Sequence, residues 1–429
     1  MEKIFYPQKE TWETLCIRPS LGMSNLDIPV RKILGRVKTE GDKAIRDYSV
    51  QLDKIELNEI KVSKAEIDES SAIIPEKLKR AIDIAAKNIE IFHRSQAVPE
   101  QVIETIDGVR CWRKNIPVEK VGMYIPGGSA ALFSTALMLS IPARIAGCRQ
   151  IVMCTPPDKN GNVDPNILYV ASLSGITEIY KIGGAVAIAA MAYGTESVPK
   201  VDKIFGPGNQ YVTKAKEIVQ AEGVAIDMPA GPSEVLVIAD SSADPEFIAA
   251  DLLSQAEHGP DSQVVLVTDS KDLISEVNRE IKIQLQKLPR KSIAGHALLN
   301  SISVLLTDLN ECIGFSNMYA PEHLIINTKN AASLAKKVVN AGSVFLGKYS
   351  CESAGDYASG PNHTLPTNGF ARTFSGVSVD SFVKKVTFQE LSGEGIKNIG
   401  PAIEEMAEAE NLSGHKNAVS VRLKKLKNV

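Results

Sequence analysis

Short runs of apolar and β-branched residues alternate, through the middle of the chain, with stretches whose apolar positions recur every three or four residues. The first pattern predicts strands and the second predicts helices. Candidate strands are 121–125, 151–154, 178–182, 201–205, 234–239, 263–267, 302–306 and 343–346. Strands separated by helical stretches pair in parallel through crossover connections, so the expected fold class is α/β. These strands are too many for one small unit, and Pro and Gly cluster near both 121 and 234. We therefore expect residues 121–234 to form a domain inserted into a larger, discontinuous α/β domain of 21–120 plus 235–374. Such an insertion leaves a cleft, where ligands preferentially bind. Residues 1–20 and the helical tail 375–429 read as appendages. So short a tail buries little surface alone and must dock on its own body or on a partner subunit.

A length of 429 residues fits two main domains, and 44% hydrophobic residues is ordinary for a globular protein. A formal charge of −3 and a pI near 6.2 leave no basic face for nucleic acid. The one basic cluster, Arg422-Leu-Lys-Lys-Leu-Lys427, reads as a solvated helix face. No apolar run approaches the ~20 residues of a membrane span, and Met-Glu-Lys-Ile-Phe-Tyr-Pro lacks a signal peptide's apolar core. A soluble, cytoplasmic protein without membrane or nucleic-acid partners is expected. Its six cysteines show no Cys-x-x-Cys spacing, against a zinc ribbon or a disulfide framework.

Neither a Gly-x-Gly-x-x-Gly fingerprint nor a P-loop occurs. Three glycine turns instead follow strands and precede helices: Ile125-Pro-Gly-Gly-Ser129, Ile182-Gly-Gly-Ala185 and Phe205-Gly-Pro-Gly-Asn209. Each is either a plain turn or a site where backbone N–H groups and a helix N-terminus meet a phosphate. Three in one domain make a nucleotide more plausible than one turn would, without specifying it.

Four of the six histidines stand beside carboxylates, amides or turn glycines: Gln255-Ala-Glu-His258-Gly, Glu322-His323, Asn362-His363 and Ser-Gly-His415. A lone imidazole is usually structural, but this clustering points to metal binding and proton transfer. Asp244 as cap, Pro245 in the first turn and Gly259-Pro260 as stop predict a helix ending at Gln255 and His258. Those two share one face of the last turn, where the helix dipole favours a cation. Glu257 is rotated about 100° away and is a poorer partner for the same ion.

The run Ile226-Asp-Met-Pro-Ala-Gly-Pro-Ser-Glu-Val-Leu-Val-Ile238 resembles the signature of the histidinol dehydrogenase family. So do Leu253-Ser-Gln-Ala-Glu-His-Gly-Pro260, Tyr319-Ala-Pro-Glu-His-Leu324, Gly355-Asp-Tyr-Ala-Ser-Gly360, Asn362-His-Thr-Leu-Pro-Thr367 and Leu412-Ser-Gly-His-Lys-Asn-Ala-Val419, in the same order along nearly the whole chain. The resemblance implies two Rossmann-like parallel-sheet domains, incomplete as dinucleotide folds, with 121–234 binding NAD. It implies oxidation of L-histidinol through L-histidinal to L-histidine, consuming two NAD, as the last steps of histidine biosynthesis. One zinc per subunit is implied at Gln255, His258, Asp356 and His415, where it grips the substrate's imidazole and amine. Two imidazoles, an amide oxygen and one carboxylate suit zinc in ligand type.

By the same resemblance His323 is the base that takes the hydroxyl proton, and Glu322 activates the water that hydrates the aldehyde. Adjacent strand residues point oppositely, so the pair is expected in a turn or helix after Ala320-Pro321. Ser233, His323 and Glu410 are implied near the substrate with the metal ligands, and Tyr124 and Asn209 at NAD. His363 matches a position close to the site, without a catalytic role. His93 and His296 fall in helical, polar surroundings and read as structural. The family pattern carries Gln after Ile-Gly-Gly-Ala, where this chain has Val186 and so loses one hydrogen bond to the cofactor. His415 belongs to the tail, which in the family reaches the partner's site, implying an intertwined homodimer.

Two other chemistries compete. A zinc hydrolase would use Glu322 to activate metal-bound water without nicotinamide. A thiol-dependent aldehyde dehydrogenase would use Cys111 or Cys154, though neither lies beside a histidine or in a glycine elbow. A non-catalytic metal-binding or interaction protein would leave the Glu-His pair and the three glycine turns without a role.

Overall fold

A computed structural model describes residues 1–19, 26–127, 131–229 and 231–427. Among these, fourteen strands occur in chain order: β1 Glu2–Phe5, β2 Ile103–Ile106, β3 Val109–Pro117, β4 Lys120–Tyr124, β5 Gln150–Thr155, β6 Glu178–Lys181, β7 Lys203–Phe205, β8 Ala225–Ile226, β9 Glu234–Ala239, β10 Gln263–Thr268, β11 Ile302–Leu305, β12 His323–Asn327, β13 Ser343–Leu346 and β14 Val383–Leu391. A six-stranded sheet has the order β1-β11-β10-β9-β12-β13, and a five-stranded sheet the order β6-β5-β4-β7-β8. Every pairing in both sheets is parallel. Counted along the chain, β9 to β13 and β4 to β8 each wind as 3-2-1-4-5, the doubly wound topology whose switch point lies between the first and fourth strands. The α/β class with two Rossmann-like sheets is thus observed.

The chain divides into two compact units, Met1–Gln96 with Val118–Phe382, and Ala97–Pro117 with Val383–Val429. The first unit holds both parallel sheets. The second is a three-stranded antiparallel sheet, β14-β3-β2, with the helices Gly393–Ala409 and Ser413–Lys427.

This division departs from the sequence expectation in three places. Residues 1–20 are not a free appendage, because β1 pairs with β11 along the edge of the six-stranded sheet. Residues 27–94 do not join the larger sheet. Val30, Leu34 and Val37 share a core with Val152, Tyr180 and Ile188, while Ile82 and Ile89 share one with Met123, Leu137 and Met153. Burial of those apolar faces, rather than chain continuity, assigns the helices to the five-stranded sheet. Residues 97–117, expected in the larger domain, pair with the tail, and the tail itself contains a strand. The tail segment of the second unit begins at Val383; Phe382 belongs to the first unit, stacked on Phe205 with ring centroids 4.1 Å apart. Among the described residues, no helix is long and apolar enough to cross a membrane.

Candidate active site

The helix Pro245–Ala256 starts as its sequence predicts, with Asp244 accepting from the Glu246 N–H as N-cap and Pro245 in the first turn, but it ends before His258, which lies in a bend past the Glu257 C-cap rather than in the last turn. It delivers Gln255, 1% exposed, to the amino end of β9. Gln255 Nε2 donates to the Glu234 carbonyl at 3.3 Å and to Glu322 Oε2 at 3.1 Å. Both partners are acceptors, so the amide orientation is fixed and Oε1 faces the other way. Among the described residues that buried oxygen has no hydrogen-bond partner. A buried acceptor left unmade costs about 1–3 kcal/mol, so Oε1 is placed to receive a ligand.

Glu322 and His323 depart from the expected turn or helix. Glu322 lies in a bend and His323 opens β12, both buried. Ala320, at φ 54°, turns the chain so that the two side chains converge at the strand's end before alternation takes hold. Glu322 Oε2 accepts from the Glu234 N–H at 2.8 Å. His323 Nδ1 lies 3.2 Å from the Glu234 carbonyl and 3.5 Å from Glu322 Oε2, and Nε2 lies 3.3 Å from Asp356 Oδ1. A hydrogen on Nδ1 satisfies the carbonyl, which leaves Nε2 as the basic nitrogen. Burial disfavours the imidazolium, but the Glu322 charge and the bonds to Asp356 and Glu322 outweigh it and hold the pKa of His323 well above its usual value.

Asp356 and Glu352 face this pair from the short helix Glu352–Tyr357. Burial pushes Asp356 up, yet the His323 hydrogen bond and charge bring its pKa below the usual range. Glu352 is 1% exposed and its Oε2 has no partner among the described residues. Burial, with the Asp356 and Glu322 charges, raises its pKa well above normal against the opposing charge of His323. His258, Glu352 and Asp356 each present a ligand atom, all within 4.8 Å of one another. His363 Nδ1 meets the Asp356 carbonyl at 2.8 Å and Nε2 meets Thr135 Oγ1 at 3.1 Å, so this histidine braces the helix.

A cavity of about 1250 Å³ opens at the carboxyl ends of the other sheet, lined by Tyr124, Gly183, Gly184, Val186 and Asn209 among others. Tyr124 ends β4 and Asn209 follows β7, so the two straddle the switch point where doubly wound sheets bind ligands. The Tyr124 hydroxyl accepts from the Gly184 N–H at 3.2 Å, and burial raises its pKa. Asn209 Oδ1 caps the helix Gln210–Ala221 through the N–H groups of Tyr211 and Val212, leaving its amide N–H groups for a ligand. Gly206 is obligatory here. A Cβ on it would lie 2.1 Å from the Tyr124 carbonyl oxygen, and its φ is +122°. Of the three glycine turns, the first runs into residues 128–130, outside the described residues. The second lines the cavity along its whole length, and the third reaches it through Asn209.

Gln255, His258, Glu322, His323 and Asp356 are thus brought together, with Ser233 immediately before β9. Glu410 and His415 lie in the second unit, both exposed. Sequence reasoning missed Glu352, although its spacing of four from Asp356 on one helix was a usable sign. Cys154 is fully buried, and burial pushes its thiol far up, away from a nucleophile.

An acid and a base buried together at the end of a parallel sheet, with a nucleotide-sized cavity on a second sheet, are the equipment of an α/β enzyme that moves protons and uses a bound cofactor. A sequence profile of the histidinol dehydrogenase family matches residues 17–423. The histidinol dehydrogenase of Bacteroides thetaiotaomicron is 58% identical over 427 residues, covering 100% of both chains. That of Escherichia coli is 52% identical, covering 97% of this chain and 96% of the other. The crystal structure of histidinol dehydrogenase from Elizabethkingia anophelis superposes with a TM-score of 0.98 at 57% identity, covering 100% of this chain and 99% of that one. The chain belongs to the histidinol dehydrogenase family of NAD-dependent oxidoreductases.

Proposed function

We propose that the protein oxidises L-histidinol through L-histidinal to L-histidine, closing histidine biosynthesis, with two NAD consumed and one zinc per subunit. The observation that carries this reading is the convergence of Glu322, His323 and the orphaned Gln255 oxygen on the backbone of Glu234.

His323 takes the hydroxyl proton in the first oxidation. Glu322 then takes a proton from the water that adds to the aldehyde, and His323 acts again on the hydrate, from which the second hydride leaves. NAD, when bound, accepts one hydride in each oxidation. Tyr124 and Asn209 contact it in the cavity at the carboxyl ends of the five-stranded sheet. Val186, 4% exposed in the first helical turn there, offers an apolar contact and no hydrogen bond.

The donor set fits a divalent cation: an unpartnered amide oxygen, an imidazole and carboxylates at the negative end of a helix. Gln255, His258 and Asp356 would hold it with His415, and zinc there supplies orientation of the substrate's imidazole and amine. With Asp356 committed to a cation, the lone pair of His323 Nε2 is left for the substrate. Ser233 and Glu410 complete the substrate contacts. His415 and Glu410 are exposed in the second unit, which supports their delivery to a partner subunit in an intertwined homodimer working in the cytoplasm.

Family membership favours this reading over a zinc hydrolase. Assaying histidinol turnover before and after chelation, with and without NAD, tests it. We expect turnover only with both metal and NAD, regained on adding zinc. Turnover that survives chelation, or product without NAD, would overturn it.

A further inference from the structure

We propose that Arg18 is a positioning residue for the Glu322–His323 pair, an inference that rests on the catalytic role proposed above. The buried Arg18 guanidinium grips Glu234 in two-point fashion, Nε to Oε1 at 3.0 Å and Nη2 to Oε2 at 2.9 Å, with side-chain exposures of 10% and 2%. Glu234 Oε1 also accepts from the Asn368 N–H at 2.6 Å. The same residue's backbone serves the site, its N–H donating to Glu322 while its carbonyl meets His323 Nδ1 and Gln255 Nε2. Fixing the Glu234 side chain therefore fixes the atoms that aim three site residues.

Arg18 acts a second time on the other side of the pair. Nη2 donates to the Tyr319 carbonyl at 2.6 Å and to the Ala320 carbonyl at 3.4 Å. Its guanidinium lies 3.6 Å from the centroid of the Tyr319 ring, whose hydroxyl is anchored on Gln263 Oε1 at 2.7 Å. Ala320 holds a left-handed conformation that a residue with a Cβ adopts only when its surroundings enforce it. Arg18 caps the carbonyls at that turn, and two residues later comes Glu322. One cation thus clamps both the turn that launches the pair and the strand end that receives it. A fork with two faces of donors can do this; a lysine ammonium, a single point charge, cannot.

The test compares Arg18→Ala and Arg18→Lys with the wild type in kcat, in KM for NAD, in rescue by millimolar guanidinium, and in the ring signals of histidine-labelled protein. His323 signals are assigned through His323→Asn. Small displacements of reacting groups cost up to about 100-fold in rate. Both variants are therefore expected to lose at least about tenfold in kcat with KM for NAD within about twofold. Guanidinium should restore Arg18→Ala but not Arg18→Lys, and the His323 signal should move while those of His93 and His296 stay. If Arg18→Ala does not fold, Arg18→Lys carries the same expectations apart from rescue. Unchanged kcat and an unmoved His323 signal in a folded variant would refute the positioning role. Wild-type protein inactive on histidinol would refute the proposed function instead, and the ring signals would still decide the clamp.

Discussion

The backbone N–H of Glu234 donates to Glu322 Oε2 at 2.8 Å, joining the first residue of one strand to the last residue before its neighbour. The bond runs across the amino ends of β9 and β12, adjacent in the sheet. In the proposed mechanism this carboxylate takes a proton from water while the next residue in the chain, His323, acts as the base. Doubly wound sheets usually bind ligands at their carboxyl ends. The five-stranded sheet has its cavity at those ends, whereas the six-stranded sheet gathers Glu322 and His323 at its amino end.

If Glu322 activates water only for the second oxidation, Glu322→Gln should separate the two steps. Alcohol oxidation should persist while aldehyde oxidation falls at least about 100-fold, a usual contribution of a general base. Assays started separately from histidinol and histidinal will read this, and equal losses in both would contradict the division of labour.

Asn209 caps a helix and is proposed to touch NAD, and the two roles are separable. Asn209→Ala should lose about 1 kcal/mol of stability, whereas Asn209→Ser keeps a cap. We expect a raised KM for NAD in both variants, with Tm lowered by about 2 °C only in the alanine variant.

Lys216 and Asp227 form an ion pair with side-chain exposures of 5% and 1%, and both bond to the backbone of Gly206. Removing one partner strands a buried charge. Lys216→Met should cost about 3–5 kcal/mol in urea unfolding, and adding Asp227→Asn should recover part of it. Additive losses in the double variant would show the pair to be uncoupled.

His93 is fully buried, with Nδ1 on the Ile89 carbonyl at 2.8 Å and Nε2 unpartnered among the described residues. Burial lowers its pKa against the pull of that carbonyl. A depressed histidine leaves stability whole above its unfolded pKa of about 6.5, and stability falls as the pH drops below that value because the unfolded chain takes the proton more readily. Between pH 7 and pH 5 the Tm of the wild type should therefore fall more steeply than that of His93→Gln. Parallel curves would remove His93 from the acid response.

Much of this was legible in the sequence, for identifiable reasons. The strands of both sheet interiors are continuous apolar runs, as parallel strands buried on both faces must be. The helix that carries Gln255 announces itself by Asp-Pro at its start and Gly-Pro shortly after its end, although His258 falls just beyond it. The exceptions are equally physical. β3 and β14 pair antiparallel across 266 or more residues, and β3 is mainly half-buried while β14 is mainly exposed, so neither shows a clean alternation. β12 was hidden because a Pro precedes it and its opening residue is a histidine. Arg18 carries no motif. Its role appears only when the fold brings it to a residue 216 positions away.

The most direct test of the account is the yield of NADH when purified, zinc-loaded protein exhausts a limiting amount of L-histidinol with NAD in excess. Two NADH per histidinol, with histidine as the product, is the result expected of a site that carries out both oxidations. No NADH with the metal still bound would contradict the account, and one NADH with free aldehyde would contradict the role given to Glu322.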